Sequence, residues 1–171
     1  TSPMAQRRPR SSSTRGACAR QPSGSAKVRR YFAVPAKYKY SGADSLVHAP
    51  ARAWWDSCLA GPQGVGLAWA VMLGFLRITT SRKIVARPLT VGDATGYIAA
   101  WLELAHVHIA EPSPRHFERL RAELQRLGTA GNLTTDAHLA ALAMERGYIL
   151  YSTDTDFARF KGLRWVNPCA R

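Results

Sequence analysis

The apolar positions change rhythm several times after residue 45, and each change marks an element. In HAPARAWWDSCLAG (48–61), Ala49, Ala53, Trp54 and Leu59 fall near helical spacing, and Gly61-Pro62 closes the run. VGL (65–67) reads as a short buried strand. AWAVMLGFLRITTS (68–81) is apolar nearly all round, which predicts a buried helix. TVGDATGYIAAWLEL (90–104) predicts a helix capped by Thr90, and HVHIAE (106–111) alternates like a strand.

The second half keeps the same alternation. SPRHFERLRAELQRLG (113–128) is amphipathic, with Ser113 placed as N-cap, Pro114 at the first helical position and Gly128 just past the end. TTDAHLAALAMERG (134–147) predicts a helix begun by a threonine cap and ended by Gly147. YILYS (148–152) reads as a strand, DFARF as a helical turn and LRWVNP (163–168) as a last strand. Helices and strands alternate without a hairpin signal. That predicts an α/β fold with a mainly parallel sheet.

The N-terminal segment has a different composition. Of the 24 Lys and Arg in the chain, ten fall in residues 1–43, where no acid occurs; the remainder holds 14 against all 11 acids. The net charge of +13 therefore belongs mostly to this segment. Residues 1–30 are rich in Ser, Pro, Gly and Arg and read as disordered. Residues 31–44 carry aromatics, but Pro35 and two lysines interrupt a core strand. The division read from the sequence is a basic extension, disordered or aberrant, over 1–44 and a folded unit over 45–171. A basic arm that binds RNA is one function for the extension. A shifted reading frame or wrong start would also produce so abrupt a change.

Cys18, Cys58 and Cys169 show no metal-ligand spacing, and a sparse odd set fits a reducing, cytoplasmic setting. There is no apolar run of about 18 residues, which argues against a membrane helix. No P-loop, Gly-rich dinucleotide fingerprint or Gly-x-Ser-x-Gly elbow occurs. His106 and His108 share one face of their strand and read as surface residues.

The carboxylates carry the remaining chemistry. Asp136 stands in the first turn of an Ala/Leu-rich helix, and Asp154 and Asp156 follow directly on a strand. Each can be a helix cap. Together they can be a site for a hard cation, Mg²⁺ or Mn²⁺, since no Cys or His accompanies them. Whether the two segments converge depends on strand direction, which local sequence does not fix.

The stretch GNLTTDAHLAALAMERGYILYSTDTDFARFKGLRWVNP (131–168) strongly resembles the C-terminal half of PIN-domain ribonucleases of the VapC toxin family. The shared pattern is an Asp opening an Ala/Leu-rich helix, a strand, then Thr-Asp-x-Asp-Phe. Weaker agreement extends upstream to about residue 45. The resemblance implies a three-layer α/β/α fold and Mg²⁺-dependent cleavage of RNA. It also implies homodimerisation and neutralisation by a cognate VapB-like antitoxin. It matches Asp136 and Asp154 to metal ligands, Asp156 to a further catalytic acid and Thr153 to an auxiliary hydroxyl.

Two departures accompany the match. The family's first strand carries Asp-x-Asn, yet the corresponding stretch FAVPAKYKY has neither residue. Asp44, the nearest carboxylate, lies in a Gly-containing loop. The family's second-helix acid falls at Gly74. The resemblance therefore implies either an active nuclease or a PIN fold that binds RNA or antitoxin without cutting.

Overall fold

The computed structural model describes residues 31–33 and 48–170. Ten elements follow in chain order: β1 (Tyr31–Ala33), α1 (His48–Ala60), β2 (Val65–Leu67), α2 (Trp69–Thr79) and α3 (Val91–Leu102), then β3 (Val107–Ile109), α4 (His116–Leu127), α5 (Thr134–Arg146), β4 (Ile149–Tyr151) and β5 (Trp165–Val166). Short 3-10 turns precede α5 at Gly131–Leu133 and follow β4 at Thr155–Arg159. The sheet has the order β3-β2-β1-β4-β5, and every pairing is parallel. The expected α/β architecture with a parallel sheet is therefore the observed one.

Alternation along the strands builds two cores. Leu150 of β4 joins Ala137, Ala140 and Leu142 of α5 on one face, with Leu120 and Leu124 of α4 packed against them. Val65 and Leu67 of β2 face the other way, against Trp55 and Leu59 of α1 and Ile98 and Trp101 of α3. Helices thus cover both faces, which an all-parallel sheet requires. Alanines along α5 let it lie close to the strands: Ala137, Ala140, Ala141 and Ala143 are all fully buried. Gly128 and Gly147 end α4 and α5 in the left-handed conformation, at φ 69° and 68°, as their positions predict.

Several expectations need correction. β1 is the central strand, between β2 and β4, so the sheet reaches back beyond residue 45. The strand ends at Ala33, ahead of the proline that argued against one here. The rest of residues 1–47 lies outside the described residues, including Asp44 and the segment read as disordered. α2 is not buried all round: Val71 and Met72 point inward, whereas Trp69 and Leu73 are 55% and 58% exposed. An all-apolar sequence cannot tell a helix wrapped by protein from one with an outward apolar face.

α4 begins at His116, three residues after its expected cap. The Ser113 hydroxyl still accepts from the Arg115 backbone N–H, now ahead of the helix, and it also donates to Glu145. Thr134 does not cap α5, because its hydroxyl donates to the Gly131 carbonyl of the preceding turn. Thr90 caps α3 as expected, accepting from Asp93 N–H at 3.0 Å. His108 is half-buried, with Nε2 3.0 Å from the Tyr148 hydroxyl, and His106 is half-buried too.

A polar chain that the sequence did not signal locks α4 to α5. His116 Nδ1 lies 2.6 Å from Glu145 Oε2, and His116 Nε2 lies 2.8 Å from His138 Nδ1. The His116 and Glu145 side chains are only 10% and 9% exposed. An ionised carboxylate can only accept, so His116 donates through Nδ1. Burial lowers the His138 pKa, with His116 beside it acting the same way. Burial would raise the Glu145 pKa, but its bonds to Ser113 and His116 outweigh that and lower it.

Candidate metal centre

In a parallel α/β sheet, sites form beyond the carboxyl ends of the strands. α5 leads into β4 and runs back along it, so the start of α5 and the end of β4 meet at that edge. The two acid-bearing segments therefore converge. Asp136 in the first turn of α5 and Asp154 and Asp156 beyond β4 offer oxygens that all lie within 4.8 Å of one another.

Local structure fixes each carboxylate differently. Asp136 is 2% exposed, set among the buried alanines of α5. Asp154 has extended backbone (φ −79°, ψ 118°) and caps the 3-10 turn, its Oδ1 accepting from Asp156 N–H at 3.0 Å. The Ser152 hydroxyl accepts from Asp154 N–H at 3.1 Å, and Trp165 Nε1 donates to the Ser152 carbonyl at 2.9 Å. Phe157, 1% exposed, anchors the turn in the core. Asp156 is half-exposed, with Arg159 3.8 Å away one turn later. Thr153 occupies the bend between β4 and Asp154.

The capping reading is thus correct for Asp154 but does not account for the cluster. A cap contributes about 1 kcal/mol. Two carboxylates this close repel by roughly 3 kcal/mol at an effective dielectric near 20. Three of them drawn together, one almost fully buried, favour a counter-cation. An all-oxygen donor set suits a hard divalent ion, and the residues therefore fit a metal of the Mg²⁺ or Mn²⁺ class. Among the described residues this is the one group of three or more such side chains placed to share an ion.

The two departures noted in the sequence also have places in the fold. β1 runs beside β4, with Ala33 opposite Tyr151, so its carboxyl end adjoins the cluster. It brings no carboxylate there, since residues 1–43 contain none. Gly74 lies on α2, and a Cβ built there would meet nothing within 4 Å. Gly74→Ala is therefore expected to stabilise the protein by about 0.5–1 kcal/mol through helix propensity alone. Urea denaturation measures this, and a loss of stability would show that the helix depends on glycine there.

Comparison with known proteins agrees with the geometry. The sequence profile of the PIN domain matches residues 69–163. The chain is 42% identical to Ribonuclease VapC33 of Mycobacterium tuberculosis over 121 residues, covering 71% of this chain and 85% of that protein. It is 41% identical to Ribonuclease VapC37 of the same organism over 123 residues, covering 72% and 85%. Among solved structures, DNA-bound VapBC from Salmonella typhimurium superposes with a TM-score of 0.53 at 15% identity, covering 82% of this chain and 99% of that one. VapBC2 from Rickettsia felis gives 0.51 at 17%, covering 81% and 98%. At such identities the superpositions speak for the fold, and the sequence matches speak for descent. With the profile matched across both acid-bearing segments, the chain belongs to the PIN-domain family and, within it, to the VapC ribonucleases.

Proposed function

We propose that this protein is a Mg²⁺-dependent endoribonuclease toxin that hydrolyses RNA phosphodiester bonds. The observation that carries the reading is the convergence of Asp136, Asp154 and Asp156 at the carboxyl edge of the sheet. Asp136 and Asp154 would hold the ion, and Mn²⁺ would be accepted by the same oxygens. When bound, such an ion activates water and stabilises charge on a phosphoryl group. Asp154 is oriented for this task by Ser152 below it and by its bond to Asp156 N–H. Asp156, the more exposed acid, would take a proton from water at the site. Thr153 is the auxiliary hydroxyl beside them.

The names of the relatives support the ribonuclease activity, and the superposed VapBC structures support a VapB-like antitoxin as partner. A homodimer and a cytoplasmic location complete the reading. No helix among the described residues is long and apolar enough to cross a membrane. The direct test is incubation with end-labelled RNA, with Mg²⁺ or with excess chelator. Internal cleavage that needs the ion supports the reading. Intact RNA at micromolar protein sinks it.

A second reading is that the chain binds RNA or antitoxin without cutting. The lack of a carboxylate on β1 favours it, because a shared ion would have fewer ligands there. Placing Asp singly at Phe32, Ala33 and Val34 separates the two readings. If the site is impaired, one of the three raises cleavage at least tenfold. If it is complete, none does.

A further inference from the structure

Where α4 crosses the carboxyl end of α5, two adjoining grooves of about 610 and 280 Å³ open on the surface. Arg119 and Glu123 line both, so the two grooves meet at these side chains and together make a track across this face. Five exposed cations border it: Arg115, which pairs with Glu118, and four others, Arg119, Arg146, Lys161 and Arg164. The carboxylates along the track already have partners. Glu118 bonds Arg115, Glu123 bonds Arg126 at 2.8 Å, and Glu145 belongs to the chain through His116. None of the four cations has a carboxylate partner among the described residues.

Two of the cations have an ordinary structural explanation. Arg146 donates Nε and Nη2 to the Glu111 carbonyl at 2.9 and 2.7 Å, and Arg164 donates to the Gly147 carbonyl. Both lie at the negative end of α5, where cations are favourable. Those bonds to neutral carbonyls leave each guanidinium its full charge and spare N–H donors. They also hold it in place, so little side-chain freedom remains to be lost on meeting an anion. Helix-end electrostatics does not explain Arg119, on α4, or Lys161, in the loop before β5.

We propose that this track binds the sugar–phosphate backbone of single-stranded RNA, as a surface separate from the carboxylate cluster. Cations strung along an extended track suit repeated phosphates better than one compact anion. Asp136 lies ten residues up α5 from Arg146, about 15 Å along the helix axis. A strand of modest length can therefore span both places. The inference rests on RNA being the substrate proposed above.

The test is fluorescence anisotropy of a labelled 12-nucleotide RNA, in chelator, across a salt series. The full-length wild type is compared with Arg119→Ala/Lys161→Ala and with the charge-preserving Arg119→Lys. The double variant is expected to bind about tenfold more weakly. Its salt slope should flatten by about 1.4, at roughly 0.7 for each phosphate of a single strand that is no longer neutralised. Arg119→Lys should bind nearly as the wild type does. Unchanged affinity and slope in the double variant would overturn the proposal. So would unchanged RNA binding together with lost binding of a polyglutamate peptide, which would assign the track to an acidic protein segment. Thermal melts check that both variants fold. Because binding is read without the ion, the outcome is independent of whether the protein cuts RNA.

Discussion

Asp136→Asn is expected to reduce RNA cleavage more than about 100-fold while leaving the fold intact. The scale follows from what surrounds a metal ligand. Losing a group that merely orients a ligand costs about 10–100-fold in affinity or activity, so losing a ligand should cost more. Asn keeps the shape of Asp and one acceptor oxygen but removes the charge that would hold a hard cation. Calorimetry offers a readout that does not depend on turnover. Saturating Mg²⁺ should raise the melting temperature of the wild type, because an ion that binds only the folded state stabilises it by about 2.7 kcal/mol at 100 times its dissociation constant. The same addition should leave Asp136→Asn unmoved. A wild type whose melting ignores both Mg²⁺ and Mn²⁺ would remove the basis for a metal centre.

The second large effect concerns stability. Glu145→Ala is expected to cost about 2–4 kcal/mol, a large part of the 5–15 kcal/mol typical of a domain. The variant leaves His116, 10% exposed, and the Ser113 hydroxyl without their acceptor. A buried group so stranded costs about 1–3 kcal/mol, and the half-buried Ser113 hydroxyl adds less. Glu145→Gln should cost less, since an amide oxygen can still accept. The comparison with Gln also has a pH signature. The Glu145 pKa is lower in the folded protein than in the unfolded chain, so its contribution is complete above about pH 4.3, the ordinary glutamate value. The contribution is lost as pH falls through the folded value. The stability gap between wild type and Glu145→Gln should therefore be widest near neutrality and close on acidification. Urea denaturation at pH 7 and near pH 3 measures it, and a gap that widens in acid would contradict the arrangement.

Parts of this molecule were legible because their signals are local. The helix over 134–147 and its ending glycine follow from composition and spacing, and the structure places them at Thr134–Arg146 and Gly147. Their places at a helix start and a strand end singled out the three aspartates but left capping and metal binding both open, and the resemblance joined them in one site. β1 was missed because a three-residue strand, bonded on both sides, has no period to detect and was followed by a proline. The outward face of α2 was missed because hydrophobicity records a preference for burial, not its fulfilment at Trp69 and Leu73. Ser113 makes the local bond expected of it, from Arg115 N–H, but its second bond escaped notice because Glu145 is 32 residues away. The chain through His116 and His138 escaped notice for the same reason, since lone histidines on helices carry no sequence signature.

The position of β1 also bears on how the chain folds. Tyr31 pairs with Val65 on one side and with Ile149 on the other. Until that strand is in place, β2 and β3 cannot join β4 and β5, and closing the sheet requires a pairing that spans most of the chain. Such long-range closure slows folding, because the loop entropy is lost before the pairing forms. The half-sheet of β4 and β5, built from neighbouring segments, can form early on the Ala-rich helix α5. This topology predicts that the two halves settle at different times, and a stopped-flow trace should show the Trp165 environment settling before that of Trp101.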